Sequence, residues 1–285
     1  MYNRIKSILI ALCLFISGYC QSQGSIKQRH TKKTRPVKIA IAQIVCLDGD
    51  LSGNLVRIEN AMAEAKEKQA EIIVFPESCL LGWVNPVAFQ RACQIPGKDS
   101  KRICDLAKKY AMYICIGLDE KDNDKLYDAA ILIDDQGNIL LKHRKINVLP
   151  TLMDPPYSVG DDVHVASTKF GKIGVMICAD SFQEDLLKSM KEKKPGLLLI
   201  PYGWAAVEND WPAHGQELVK VVKNATTIIN CPVIGTNLVG EISHGPWKGQ
   251  IYGGQSVGYD PKNGALSIGK DRERDLVVVT VKVTD

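Results

Sequence analysis

Residues 172–180 read KIGVMICAD, an apolar strand-like run that stops abruptly on a cysteine, Cys178. Two other stretches share this design. Residues 72–77 (IIVFPE) end on Glu77, and residues 139–145 (ILLKHRK) end on Lys145. Strand ends in α/β proteins are common sites for reactive groups, because the sheet holds them rigidly while the following loop opens a cleft. A thiol, a carboxylate and an ammonium brought together supply a nucleophile, a proton acceptor and a charge stabiliser. Each residue also has a plainer reading. Glu77 fits a helix N-terminal charge, Lys145 a solvated strand end, and Cys178 a buried core thiol. Taken singly the plainer readings win; the conjunction, in this order, carries the argument.

Outward from these stretches, short β-type runs alternate with amphipathic segments. Residues 37–45 (VKIAIAQIV) are rich in β-branched side chains and predict a strand. Residues 54–68 place Leu55, Ile58, Met62 and Ala65 on one helical face, and residues 100–110 do the same with Ile103, Leu106, Ala107 and Tyr110. Residues 72–75 form a strand closed by Pro76, and residues 112–118 another. Residues 126–133 and 139–143 flank Asp135-Gln136-Gly137-Asn138, a hairpin turn. After a loop with Pro150, Pro155 and Pro156 comes a second hairpin, 163–168 with 172–177, around Phe170-Gly171. The pattern then predicts helices over 182–193 and 212–229 and strands over 197–200 and 233–238. Two more strands flank residues 260–264, and a final strand spans 276–283. No internal repeat appears. Antiparallel hairpins mixed with helices favour an α/β sandwich over a purely parallel doubly wound sheet. Such alternation does not by itself reveal a function.

The N-terminus differs from the rest. Arg4 and Lys6 precede residues 7–18 (SILIALCLFISG), an almost uninterrupted apolar run. A basic start and a short apolar run describe a secretory signal peptide over residues 1–20, too short for a comfortable membrane span. Cleavage after Cys20 leaves Gln21 as the new terminus and the protein exported, periplasmic or secreted. A lipid anchor on Cys20 is the rival reading, disfavoured by the bulky Tyr19; a retained anchor helix is a third. Residues 21–36 form a basic linker with Lys27, Arg29, Lys32, Lys33 and Arg35. The first 36 residues hold seven of the 36 basic residues and none of the 32 acidic ones, so the remainder is slightly acidic. With no aromatic or groove-reading motif beside it, the basic stretch reads as solvated rather than as a nucleic-acid site. No membrane span is expected after the leader.

Nine cysteines suggest disulfides, yet Cys13 and Cys20 lie in the leader and the remaining seven are an odd number. There is no C-x-x-C motif and no Cys/His cluster at zinc spacing, so neither a metal nor a thiol oxidoreductase is implied. Most of these cysteines sit in apolar runs, as in residues 113–117 (YICIG), where a buried small hydrophobe is the plain reading.

The three strand ends resemble the nitrilase (carbon–nitrogen hydrolase) superfamily. Its fingerprint is a Glu after a Phe-Pro strand end, a Lys after a His/Tyr-Arg pair and a Cys closing a Gly-Val-x-Ile run, matched here by FPE, HRK and GVMIC. AIAQ near the start, YDAAILID after Leu126, Pro201 with Trp204, and GGQS before an Asp-Pro-x-x-Gly turn are also similar to that family. The resemblance covers residues 37–281 and implies a carbon–nitrogen hydrolase domain over residues 37–285. Its expected fold is a four-layer α-β-β-α sandwich, a homodimer or higher homo-oligomer, without metal or organic cofactor. It further implies Glu77 as proton carrier, Cys178 as nucleophile, and Lys145 with the Ala179 backbone N–H as oxyanion donors. A neighbouring ammonium favours the thiolate.

Three departures stand out. Where relatives carry a second Glu between the Lys and the Cys, this chain has only Asp154. The usual Asn after the Tyr is Asp128, and the Arg-Ala-x-Glu-Asn segment is not recognisable within residues 222–230. Ala179-Asp180 after the nucleophile, in place of Trp-Glu, points to a small amide or N-carbamoyl substrate rather than a nitrile. Tyr202, Trp204, Trp211 and His214 are candidates to wall the pocket, or ordinary packing. His244 and Trp247, in the glycine-rich residues 240–254, suit a lid or an oligomer contact. The alternatives are a nitrilase or acyl transferase using the same thioester, and a catalytically idle binding protein. An exported thiol enzyme meets an oxidising compartment, so either burial protects Cys178 or the leader reading is wrong.

Overall fold

The computed structural model describes residues 34–284. The leader, Cys20 and most of the basic linker lie outside the described residues. The first half of the chain lays down β1 (Thr34–Gln43), α1 (Leu51–Glu67), β2 (Ile72–Val74), α2 (Ala88–Arg91), α3 (Lys98–Tyr110), β3 (Tyr113–Asp122), β4 (Lys125–Ile133) and β5 (Ile139–Arg144). The second half begins with β6 (His164–Thr168), β7 (Gly171–Val175), α4 (Glu184–Glu192), β8 (Leu197–Pro201), β9 (Ala205–Ala206) and α5 (Ala213–Ile229). It ends with β10 (Val233–Thr236), β11 (Val239–Glu241), β12 (Ile251–Gly253), β13 (Val257–Asp260), β14 (Gly264–Ile268) and β15 (Asp275–Thr284). Two six-stranded mixed sheets result, ordered β15-β1-β2-β3-β4-β5 and β14-β13-β10-β8-β7-β6, with a small third sheet, β11-β12-β9.

Strand alternation decides the layering. On β1, Ala40 and Ala42 join the cluster that holds Ile58 and Met62 of α1 and Ile103 of α3. Ile39 and Ile41, pointing the other way, join Val175 and Leu199 of the second sheet. Small residues on the helix side and branched ones between the sheets suit each contact. Leu187 and Met190 of α4 and Leu218 and Val222 of α5 cover the outer face of the second sheet. The fold is therefore the α/β, four-layer α-β-β-α sandwich expected from the resemblance. None of its helices, among the described residues, is long and apolar enough to cross a membrane. All seven cysteines among the described residues are free.

The differences from the sequence reading have local causes. β1 starts at Thr34, not Val37, because Thr34, Arg35 and Pro36 pair with Thr284, Val283 and Lys282 of β15. Arg35 is no solvated linker charge: it pairs with Glu71 at 2.5 Å and lies 4.9 Å from the Phe170 ring centroid. β3 runs on through Asp119, Glu120, Lys121 and Asp122, whose charges hid a strand that pairs with residues 125–128 of β4. The helix expected from residue 182 is preceded by a tight 3-10 turn, Cys178–Phe182, and α4 starts at Glu184. Residues 240–254, read as loop, contribute most of β11 and β12.

Candidate active site

Glu77 stands just beyond β2. It packs so closely on β3 that a Cβ at Gly117 would lie 2.5 Å from the Glu77 Cα. Its backbone N–H donates to the Tyr202 carbonyl at 3.3 Å. Its Oε2 accepts from the Gly203 N–H at 2.5 Å, and its Oε1 from Lys145 Nζ at 2.5 Å. Glycine is required at 203, since a Cβ there would sit 2.8 Å from Trp83 Cγ and 3.0 Å from Glu77 Oε2. Lys145 leaves β5 with its N–H on the Asp128 carbonyl at 2.8 Å, and its ammonium also reaches Asp128 Oδ2 at 3.1 Å. Glu77, Asp128 and Lys145 are buried throughout.

Cys178 opens the turn after β7 with φ +40°, in the left-handed region that costs a non-glycine residue energy and that clusters at functional sites. Its carbonyl accepts from Ser181 Oγ at 2.7 Å, and Ser181 in turn meets the Tyr202 hydroxyl at 2.8 Å. Asp180 stitches this turn to the Lys145 loop. Its Oδ1 accepts from the N–H groups of Ile146 (2.9 Å) and Asn147 (2.8 Å). Its Oδ2 takes the Ile177 N–H at 3.1 Å and lies 2.8 Å from His143 Nε2. The residues beside Lys145 and beside Cys178 are thus held by one carboxylate. Asn147 Nδ2 donates to the Ala179 carbonyl at 2.8 Å, which fixes the orientation of that peptide.

The Lys145 ammonium favours the thiolate as expected, but it does not act alone. Burial and the Glu77 charge push the Cys178 thiol well above its ordinary value, and Lys145 offsets them only in part. Cys178 therefore rests as a thiol rather than a thiolate. Burial opposes the Lys145 charge, but Glu77 and Asp128 outweigh it and hold the ammonium protonated. Burial, then the Glu77 charge, push the Asp128 carboxyl well above the carboxylate range. Asp119, buried and hydrogen-bonded by Tyr157 Oη (2.8 Å) and Ser78 Oγ (3.3 Å), is raised by its burial to about 7.

Asp154, the sequence candidate for a second carboxylate, is exposed and makes no hydrogen bond to Glu77, Lys145 or Cys178. A carboxylate beside a proline-rich loop gains solvation by pointing out; the carboxyls buried on Lys145 are Glu77 and Asp128. Of the candidate pocket residues, Tyr202 touches the site through Ser181 and its carbonyl. Trp204 and His214 stack with ring centroids 4.9 Å apart, and Trp211 meets His214 edge-on at 5.4 Å. Trp204 also meets Phe182 edge-on at 5.5 Å and Tyr202 at 6.3 Å, and with Phe182 and Ser181 it lines a cleft of about 340 Å³. His244 pairs with Ser243 Oγ at 2.7 Å, and Trp247 packs 5.2 Å from Trp83.

Sequence reasoning missed Asp119, Tyr157, Trp83 and the His143–Asp180 pair, and noted Asp128 only as a departure, without a role. The one available signal was an aspartate inside an otherwise apolar strand, residues 127–133 (YDAAILI).

The profile of the family described as "Carbon-nitrogen hydrolase" matches residues 38–285. The chain is 31% identical over 178 residues to the omega-amidase NIT2 of Xenopus tropicalis, covering 59% of this chain and 63% of that one. It is 29% identical over 182 residues to the bifunctional nitrilase/nitrile hydratase NIT4A of Nicotiana tabacum, covering 56% of this chain and about half, 52%, of that enzyme's length. A probable nitrilase of Schizosaccharomyces pombe is 28% identical over 211 residues, 71% of this chain and 73% of that one. Among solved structures, an amidase of the nitrilase superfamily from Nesterenkonia AN1 superposes with a TM-score of 0.74 at 20% identity, covering 86% of this chain and 90% of that chain. The likeness to that structure is one of fold. With a family match that spans nearly all the described residues, this chain belongs to the carbon–nitrogen hydrolases of the nitrilase superfamily.

Proposed function

We propose that this protein hydrolyses a small non-peptide amide or N-carbamoyl compound through a thioester on Cys178. The observation that carries the reading is the double anchoring of Glu77, between the Lys145 ammonium and the Gly203 N–H, beside a protonated, buried thiol. Glu77 takes the Cys178 proton as sulfur attacks the carbonyl carbon. The carbonyl electrons move onto oxygen, where Lys145 and the Ala179 N–H offset the new charge. Collapse expels the amine, which leaves with the proton from Glu77. Water then gives a proton to Glu77 and adds to the thioester. The acid departs, and the proton returns to sulfur.

Three points support an amide. The nucleophile is followed by Ala179-Asp180. One relative is named an omega-amidase, and Nesterenkonia amidase structures are described with acrylamide or butyramide. The near-complete burial of all three reacting side chains suits a small substrate. Asp180 here is structural, holding the turn rather than facing a substrate. The leader adds a second proposal, export with cleavage before Gln21, which N-terminal sequencing of the mature protein tests.

The functional test is ammonia release from small amides, N-carbamoyl compounds and nitriles, each assayed alone with the chain from Gln21 and with its Cys178→Ala variant. Turnover of an amide or carbamoyl compound that vanishes in the variant supports the proposal. Turnover of nitriles alone replaces it with the nitrilase reading. If no compound turns over and Cys178 stays unlabelled by an amide-like thiol reagent, the idle binding protein is the better account.

A further inference from the structure

Three carboxyl groups and one ammonium share the buried centre. Asp119 on β3 and Asp128 on β4 are directly opposed partners in the antiparallel pair, so their side chains stand on the same face of the sheet. Glu77 closes the group from the end of β2, joined to Asp128 through the one ammonium they share. Lys145 Nζ is held between Glu77 Oε1 at 2.5 Å and Asp128 Oδ2 at 3.1 Å. The other Asp128 oxygen, Oδ1, is buried and accepts from no donor. The Cys178 thiol after β7 and the Tyr157 hydroxyl before β6 also face Asp128, and neither brings a positive charge.

One cation cannot offset three buried anions, because an uncompensated charge in a low-dielectric interior costs several kcal/mol and the group takes up a proton instead. Two buried carboxyls held by one ammonium share a proton for the same reason. Glu77 is the member stabilised as an anion, since it alone accepts both the ammonium and a backbone N–H. The proton therefore resides on Asp128.

We propose that Asp128 is a positioning residue that works as a neutral carboxylic acid: it keeps the shared proton, holds the Lys145 ammonium through Oδ2, and leaves Glu77 as the single ionised base for Cys178. This rests on the thioester reading for its purpose, but its test does not need a substrate. With Asp128 protonated, Glu77 ionised and Lys145 charged, the pair and the ammonium are together neutral. Ionising Asp128 would place a second anion near the thiol and raise the cost of forming a thiolate.

The test is the infrared spectrum of the full enzyme with the alkylation rate of Cys178 by iodoacetamide, both against pH. At about pH 9, where an Asp119 that titrates near 7 has ionised, one protonated-carboxyl band is expected to remain. Asp128→Asn is expected to remove that band and to leave the midpoint of the alkylation profile within about 0.3 unit, because a neutral amide replaces a neutral acid. Asp119→Asn is expected to leave the band in place. No band at that pH in the wild type overturns the proposal, whether or not the variants fold. So does an alkylation midpoint that moves down by about one unit or more in Asp128→Asn, the mark of a lost negative charge. Ammonia release does not enter either readout, so a wrong substrate class leaves this result standing.

Discussion

Gly203 donates its backbone N–H to Glu77 Oε2 at 2.5 Å, and with that bond the end of β8 in one sheet fixes the carboxylate at the end of β2 in the other. The contact is possible only without a side chain at 203, because Trp83 and Glu77 already fill the place of a Cβ. Gly203→Ala is expected to push Glu77 off its line to Cys178 and lower kcat about 100-fold, the cost of a displacement on the order of 1 Å. Steady-state kinetics check this, with KM moving much less than kcat.

Lys145 is 2% exposed and is the shared partner of two carboxyls. Lys145→Met leaves Glu77 buried without its cation, so a loss of about 3–5 kcal/mol of stability is expected together with the loss of turnover. Urea denaturation gives the first and ammonia release the second. Lys145→Arg is not expected to rescue either, because the planar guanidinium does not fit a site shaped for a compact ammonium.

Asp119 carries a pH dependence of known sign. Its carboxyl titrates near 7 in the folded protein against 3.8 when unperturbed, so the folded state binds the proton more tightly. Its contribution is fully present below about pH 4 and is lost as pH rises towards 7, a change of roughly 4 kcal/mol at 1.4 kcal/mol per unit. In Asp119→Asn this loss is expected to disappear. The difference in unfolding free energy between wild type and variant, measured from pH 4 to pH 8, tests it; a difference that does not change with pH would refute it.

Asp180 holds three backbone N–H groups and His143, and so joins the Cys178 turn to the Lys145 loop. Burial works against its charge, but the His143 bond and the backbone donors hold its carboxyl below the usual range. Asp180→Ala leaves those donors unpaired. A loss of about 3 kcal/mol and a fall in kcat are expected, with Asp180→Asn intermediate because one acceptor oxygen survives. Thermal unfolding and kcat, measured on the same preparations, check both.

How much was legible in the sequence follows from distance along the chain. Glu77, Lys145 and Cys178 could be singled out because each ends an apolar run, a local pattern set by strand periodicity and by the loop that follows. The strands, helices and hairpins were legible for the same reason, wherever apolar side chains ran together or recurred at helical spacing. Where a strand carried charges, as in residues 119–122, or was short and set among glycines, as in β11 and β12, the pattern failed. Cross-strand partners, not local apolarity, make those strands.

The sequence by itself determined the fold family and singled out Glu77, Lys145 and Cys178 as candidates, since both readings rest on short contiguous runs. Only the tertiary structure decided which carboxyls share the buried centre. It turned Asp154 out to solvent and set Asp128 against Lys145 and opposite Asp119. It also made the Cys178 thiol hold its proton, because burial and Glu77 outweigh the ammonium. Protonation depends on the charges and desolvation surrounding a group in three dimensions, and these neighbours come from β2, β3, β4, β5 and β7, segments as far apart in the chain as Glu77 and Cys178.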